Sequence, residues 1–328
     1  LSVLESGTRR WESVGGLGWR DAEGRVVFNP LEREMNLDDL PFPDYEFAGL
    51  KRYHRVGYGF LTSARRSVPA FATRGCPFAC EYCSSPLHNG QVHRRHSLAY
   101  VTRLLRKLYD EFRIDHVNFM DDNLTEDLDW AKDLCRALAD LRLPVTYSAP
   151  RGIRIDRMDA ELLRLMKIAG FDSVTLSIES GSDRVLAQMG KHTTTSPVLE
   201  AVRQIRAAGL LVYAFVMYGY PDETEREIAQ SLELLRKCRV DYFLLFRFNP
   251  LPGTPVYRRL VARGEIPEVG LASIPYNFTR GSSTYTPPLI SSSVKGPLSP
   301  KATMCKKARF SAASTCPNTK RKYSKSAR

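Results

Sequence analysis

"SVTLSIESGSDRVLAQMGKHTTTSPVLEAVRQIRAAGLLVYAFVMY", residues 173–218, sets two β-rich apolar runs, SVTLSI and LVYAFVMY, around a stretch of helical period. Val198, Val202 and Ile205 share one helix face. Ser196-Pro197 reads as a cap followed by proline at the first helical position, and Gly209 sits where that helix should end. A strand, a helix and a second apolar strand make the repeating unit of a parallel sheet covered by helices.

The unit recurs from Val68 to about Pro267. The other runs are VPAFAT, HVNFM, VTYSA and YFLLFRF. Between them Leu98, Val101, Leu105 and Leu108 share a face, as do Leu128, Ala131, Cys135 and Leu138, then Leu162, Met166 and Ala169, and later Ile228, Leu232 and Leu235. Thr224 with Glu227 is a capping box, and Gly170 is a helix stop. Six units fall short of the eight of a closed barrel. The expected fold class is α/β, a partial (β/α)6 TIM-like barrel, with a doubly wound sheet as the alternative. In either, chemistry belongs at the C-terminal ends of the strands.

The flanks differ from this body. Residues 1–48 read as an N-terminal extension and linker. Two apolar runs around Asp21–Gly24 suggest a hairpin, and NLDDLPFPDYE, with its prolines and acids, suits a linker. The core is set at 49–267. Residues 268–328 are rich in serine, proline and lysine and are expected to be disordered. Of the net charge of +12, eleven units fall in residues 270–328, which contain no acid, so the first 269 residues carry +1. The charge therefore does not mark the body as a nucleic-acid binder; only the tail would meet polyanions, and nonspecifically. No apolar run is long enough to span a bilayer, and no secretory pattern opens the sequence, which points to the cytoplasm. Seven cysteines, three of them clustered, suit a metal site in a reducing compartment and not a disulfide framework. Cys305 and Cys316 lie in the tail and are assigned to no site.

The cluster is RGCPFACEYC, residues 74–83, placing Cys76, Cys80 and Cys83 at C-x3-C-x2-C just after the first strand. Three thiolates can hold three irons of a 4Fe–4S cubane and leave the fourth open to an outside ligand. Gly75 and Pro77 shape the loop. A zinc site completed by His88, His93 or His96 is the competing reading, although the spacing is unusual for zinc. A ferredoxin-type carrier would want a fourth cysteine.

C-x3-C-x2-C with Tyr82 before the last cysteine, at the end of the first of several strand–helix units, resembles the radical S-adenosylmethionine (SAM) superfamily. The narrower resemblance is to its cobalamin-dependent class, carried in order by DLPFPDYE, RGCPFACEYCSSP, FMDDNLTED, LSIESGSDRVLAQMGKHTT, FVMYGYPDETERE and FNPLPGTPVY. It covers about residues 36–267. The class usually carries an N-terminal cobalamin domain with a D-x-H-x-x-G motif, which does not occur here. Residues 1–35 look like the end of such a region, so the chain is expected to be either a fragment or a protein that works without cobalamin.

The resemblance implies a 4Fe–4S cluster on Cys76, Cys80 and Cys83 and SAM chelated at the free iron. Asp121 and Asp122, where the superfamily usually has Gly-Gly-Glu, are expected to supply one acceptor for the SAM ammonium and, with Asn123, one helix cap. Glu179 and Ser180 are assigned to the ribose, against an alternative in which Glu179 is only salt-bridged to a neighbouring strand. Lys191 or Arg184 is the cation for the SAM carboxylate, or else a solvated helix charge. Gly219, with Pro221, lets the backbone approach the adenine, and Tyr82 flanks it. NPLPGTP (249–255) faces the substrate side. His54 and His116 read as structural; His88, His93 and His96, with Arg94 and Arg95, read as a solvated basic loop. The implied function is reductive cleavage of SAM to a 5′-deoxyadenosyl radical, for methylation or rearrangement of an unidentified small-molecule or macromolecular substrate. A flavodoxin or ferredoxin-type protein is the expected electron donor. The alternatives are a tRNA or protein methylthiotransferase, and a non-catalytic iron–sulfur or zinc-binding fragment.

Overall fold

The computed structural model describes residues 10–53 and 66–268. The tail expected from 268 onward lies, but for its first residue, outside the described residues, as do Cys305, Cys316 and His54. The chain opens with a hairpin, β1 (Gly18–Arg20) and β2 (Val26–Phe28), whose turn is closed by the Asp21 carboxylate accepting from the Glu23 and Arg25 N–H groups. A short α1 (Leu50–Tyr53) follows. The body then runs β3 (Ser67–Ala70), β4 (Thr73–Arg74), α2 (Ser85–Asn89), β5 (Arg94–Arg95), α3 (Leu98–Phe112), β6 (His116–Phe119), α4 (Leu128–Asp140) and β7 (Thr146–Ser148). Its second half is α5 (Ala160–Ala169), β8 (Ser173–Glu179), α6 (Asp183–Gln188), α7 (Val198–Ala207), β9 (Leu211–Tyr218), α8 (Glu225–Cys238), β10 (Tyr242–Arg247) and α9 (Pro255–Ala262).

β3, β6 and β7 form one parallel sheet, and β8, β9 and β10 another. A seam joins them. Asp172 N–H donates to the Tyr147 carbonyl and Tyr147 N–H to that of Gly170, both at 3.1 Å, and Ile153 bridges Leu176. The spatial order β3-β6-β7-β8-β9-β10 is thus the chain order. A doubly wound sheet must reverse direction at a switch point. Here every crossover steps the same way, and right-handed crossovers then put all the helices on one face and curl the sheet into part of a barrel.

The strands differ from the continuous apolar runs expected. They alternate. Val174, Leu176 and Ile178 of β8, and Val212, Ala214 and Val216 of β9, join the core between sheet and helices. Ser173, Thr175 and Ser177, and Tyr213, Phe215 and Met217, take the other, concave face, since side chains along a strand alternate. His116 is structural as read: its fully buried ring bridges the Thr146 and Ser148 hydroxyls at 2.7 and 3.0 Å.

Local signals place most helix ends. Ser97, Asp127, Asp159 and Thr254 cap α3, α4, α5 and α9, Gly170 ends α5, and the Thr224–Glu227 capping box starts α8. Three expectations need correction. The N-cap of α7 is Pro197, and the Ser196 hydroxyl pairs with Thr194 instead. The buried face of α8 is Glu227, Ser231, Leu235 and Cys238, while Leu232 is exposed, because the first turns of α8 face polar partners on the β8–α6 connection. And the segment read as a linker is docked: Leu37 is fully buried, Phe42 packs edge-on against Tyr100, and Tyr45 donates to the Pro69 carbonyl at 2.9 Å. Among the described residues no helix is long and apolar enough to cross a membrane.

Candidate active site

The loop from β4 to α2 carries Cys76, Cys80 and Cys83, all free and half-buried. Its backbone is tied from several sides. Cys76 N–H donates to the Gly90 carbonyl (3.4 Å), Glu81 N–H to that of Met189 (2.9 Å), and Cys83 N–H to that of Cys80 (3.0 Å). Gly75 is required where it stands. Its φ is +84°, and a Cβ there would lie 2.3 Å from the Val92 carbonyl oxygen. The Cys83 sulfur accepts from Ser85 N–H at 3.4 Å. Burial pushes all three thiols up, Cys83 to about 11. The protons are held because burial disfavours the thiolates, and a metal that replaced them would neutralise that buried charge. Among the described residues no three His, Cys, Asp or Glu side chains stand close enough to share a single metal ion. A cubane instead takes one thiolate per iron, and the three-cysteine loop fits that donor set.

At the end of β8 the chain does something a side chain rarely permits. Glu179 has φ +68°, next to a bulge in the β8–β9 register. Such backbone costs about 1–3 kcal/mol and is held only where the surroundings fix it. The carboxylate of Glu179, a residue 8% exposed, accepts from Lys191 Nζ at 3.0 Å, and Lys191 is itself buried. The Tyr82 hydroxyl lies close to Glu179; burial first, then the charge of Glu179, raises the phenol well above its ordinary value. Tyr82, Glu179, Lys191 and the cysteine loop are thus brought together. The alternative of a merely cross-strand ion pair for Glu179 does not hold, since its partner comes from the turn after α6.

The other expected residues divide. Asp121 is buried, and one oxygen, Oδ1, accepts from the N–H groups of Ala72 (3.0 Å) and Thr73 and from the Thr73 hydroxyl (2.8 Å). It braces the β3–β4 turn. Asp122 accepts from the Asn89 amide (2.7 Å) and pairs with Arg151 (3.3 Å), and its charge acts on Cys76 and Cys83. Neither caps the next helix, a role taken by Asp127. The Ser180 hydroxyl is fully buried and occupied by Ser231 and the Ser182 N–H, so it serves the joint to α8. Arg184 makes a two-pronged pair with Glu227, both contacts at 2.6 Å, and is not the cation of the cleft. Gly219 has φ +80°, and its N–H donates to Glu223 at 2.6 Å. The basic loop is not simply solvated either: His96 is buried, stacks on Tyr100 and meets Asp38 at 3.2 Å, and His93 meets the Asn123 carbonyl at 3.1 Å.

Sequence reasoning missed Arg154. It is buried, stacks on Phe78 of the cysteine loop at 3.7 Å, grips Asp156 through two nitrogens and donates to the Lys191 carbonyl. Its charge and that of Lys191 both favour the Cys80 thiolate. The signal available was its position in RGIRIDR, after the third parallel strand, where this fold puts chemistry.

Known proteins share this sequence pattern and fold. The curated relatives include the cytidylyl-2-hydroxyethylphosphonate methyltransferase of Streptomyces wedmorensis, 28% identical over 81% of this chain and 55% of its own length. An uncharacterized methyltransferase of Pyrococcus horikoshii is 30% identical over 80% of this chain and 55% of its own. The chain therefore spans about half the length of the curated relatives it matches. The fold is shared with the radical SAM methyltransferase TsrM of Kitasatospora setae, whose structure holds cobalamin and a [4Fe–4S] cluster, at a TM-score of 0.66 and 16% identity over 82% of this chain and 52% of that one. The family profile described as Radical SAM superfamily matches residues 71–235, from just before the cysteine loop to the far end of α8, and by that match this chain belongs to the radical SAM superfamily.

Proposed function

We propose that Cys76, Cys80 and Cys83 hold a 4Fe–4S cluster and that this chain cleaves SAM reductively. When bound, such a cluster supplies one electron to SAM, whose C5′–S bond breaks to give methionine and a 5′-deoxyadenosyl radical. The observation that carries the reading is the charge pattern around the loop. Lys191 and Arg154 bear on Cys80, against Glu179, the partner of Lys191, whereas only acids, Asp122 among them, bear on Cys76 and Cys83 apart from the other thiols. A zwitterionic amino acid, carboxylate toward the cations and ammonium toward Asp122, suits that polarity. Glu179, released from Lys191, offers acceptors to a ribose diol, and Tyr82 closes that side. Gly219 offers close backbone approach to the adenine. Asp121 and Ser180 act as braces, not ligands.

The names of the relatives extend the proposal to methyl transfer, with cobalamin as a second cofactor and the substrate left open. A flavodoxin or ferredoxin-type protein is the reductant. Residues 49–267 form the radical SAM core, 1–48 an extension and 268–328 a basic tail. The test is anaerobic reconstitution with iron and sulfide, followed by assay of 5′-deoxyadenosine from SAM and dithionite. About four irons per chain, with deoxyadenosine that disappears in Cys80→Ala, is the expected result. Zinc in preference to iron, or a full cluster that leaves SAM intact, would overturn it.

A further inference from the structure

Beside the cysteine loop three guanidinium groups stand near one another, with the Glu34 charge bearing on Arg94 but no carboxylate paired with any of them. Arg74 and Arg94 face each other across the antiparallel β4–β5 ribbon. Directly opposed residues in such a ribbon project to the same face with Cβ atoms about 5 Å apart, and like charges placed so destabilise it. Arg33, from the lead-in segment, lies against Gly90: a Cβ there would meet its Nε at 2.8 Å. Arg94 is 8% exposed. Its two terminal nitrogens donate only to main-chain carbonyls, those of Glu34 (2.5 Å) and Asn89 (2.9 Å). The Nε atoms of Arg33, Arg74 and Arg94 are all buried without a hydrogen-bond partner. Among the described residues none of the three forms an ion pair. Nearby acids are otherwise engaged. Asp38 serves His96 and Ser97, and Glu34 accepts from Asn36 N–H. Elsewhere buried arginine is matched, as Arg154 is by Asp156.

We propose that Arg33, Arg74 and Arg94 form a binding site for a phosphate-class oxyanion, free or as the phosphate group of a larger ligand, which clamps the lead-in segment to the cysteine loop. Planar guanidinium forks match tetrahedral oxyanions in geometry and charge. The clamp is short. Arg94 already links Glu34 to Asn89, the Asn89 side chain holds Asp122, and the adjacent Gly90 carbonyl receives Cys76 N–H. An anion joining Arg33 to Arg74 would fasten the same two segments from the other side, two residues before Cys76.

The test is calorimetric titration of the full chain with inorganic phosphate and, separately, with adenosine monophosphate, at an ionic strength held constant with chloride. One bound anion per chain is expected, weakened about tenfold or more in Arg33→Gln and in Arg74→Gln. In phosphate-free buffer Arg33→Gln should melt no lower than wild type, because it removes a like charge; Arg74→Gln also gives up the stacking of Arg74 on Phe71 at 4.6 Å. Tighter binding of the nucleotide than of phosphate would assign the site to a phosphate group on a larger ligand; the reverse would assign it to the free ion. If Arg74→Gln fails to fold, Arg33→Gln and Arg33→Lys carry the comparison. No heat beyond the chloride control with either ligand, or unchanged affinity in the variants, would overturn the proposal. The readout does not need iron, so it stands apart from the cluster assignment.

Discussion

Asp121 supports the cysteine loop at a cost that depends on pH. Its Oδ1 receives three donors, while Oδ2 is buried with none. Burial outweighs the donors from Thr73 and Ala72 and raises the acid from 3.8 to about 7. The folded state therefore binds this proton more tightly than the unfolded chain does. Stability from this group is fully present below pH 3.8 and is lost as pH rises toward and through 7. About three pH units at roughly 1.36 kcal/mol each set a ceiling of about 4 kcal/mol. Asp121→Asn keeps the accepting oxygen and removes the ionisation. It should be no better than wild type at pH 5, where the acid is protonated, and should gain on wild type by about 1–4 kcal/mol by pH 8.5. Urea unfolding at pH 5, 7 and 8.5, followed by tryptophan fluorescence on identically prepared proteins, measures the gap. Taking the difference cancels the other titrating groups, which both proteins share. A gap that stays constant across the three pH values would show that the carboxyl is not raised, and the reasoning from its orphaned oxygen would fail.

Two further perturbations test the frame of the site. Lys191→Met leaves the Glu179 carboxylate buried without its partner and should cost about 3–5 kcal/mol, whereas Glu179→Gly combined with Lys191→Met should recover most of that, since it also releases the backbone strain at φ +68°; a double variant no more stable than the single one in urea would contradict this. Gly75→Ala sets a Cβ 2.3 Å from one carbonyl oxygen and 3.2 Å from two more, all main chain, and should lose at least about 1–3 kcal/mol together with iron content after reconstitution; wild-type iron content would refute the reading of the loop as tightly tied.

How much of this was legible beforehand depended on whether a residue acts locally. The six strand–helix units, the capping box at Thr224 and the stop at Gly170 each depend on neighbours a few positions away, and period and cap chemistry expose them. The cysteine spacing is local too, and it marks the loop proposed to hold the cluster. Residues whose partners lie far along the chain could not be read this way. Asp121 braces a turn 48 positions upstream, and Ser180 meets a hydroxyl 51 positions on, so both looked like free ends of strands. The α8 face was misread for the same reason, because an apolar period says nothing of Glu227 and Ser231 being buried against the β8–α6 connection. Arg154 shows the limit most clearly. In RGIRIDR three arginines stand among apolar residues, and only the fold, which brings the segment after β7 over Phe78, seats Arg154 closest to that ring, at 3.7 Å against 5.6 Å for Arg157. Arg33, Arg74 and Arg94 are the converse case. The sequence intersperses them with Glu34, Glu81 and His93 and looks charge-balanced, yet folding pairs Glu81 with Arg259 and leaves Glu34 near Arg94 without an ion pair to it, so the cations stay together. Charge in a chain is counted along the sequence, but its consequences are set by which partners the fold withholds.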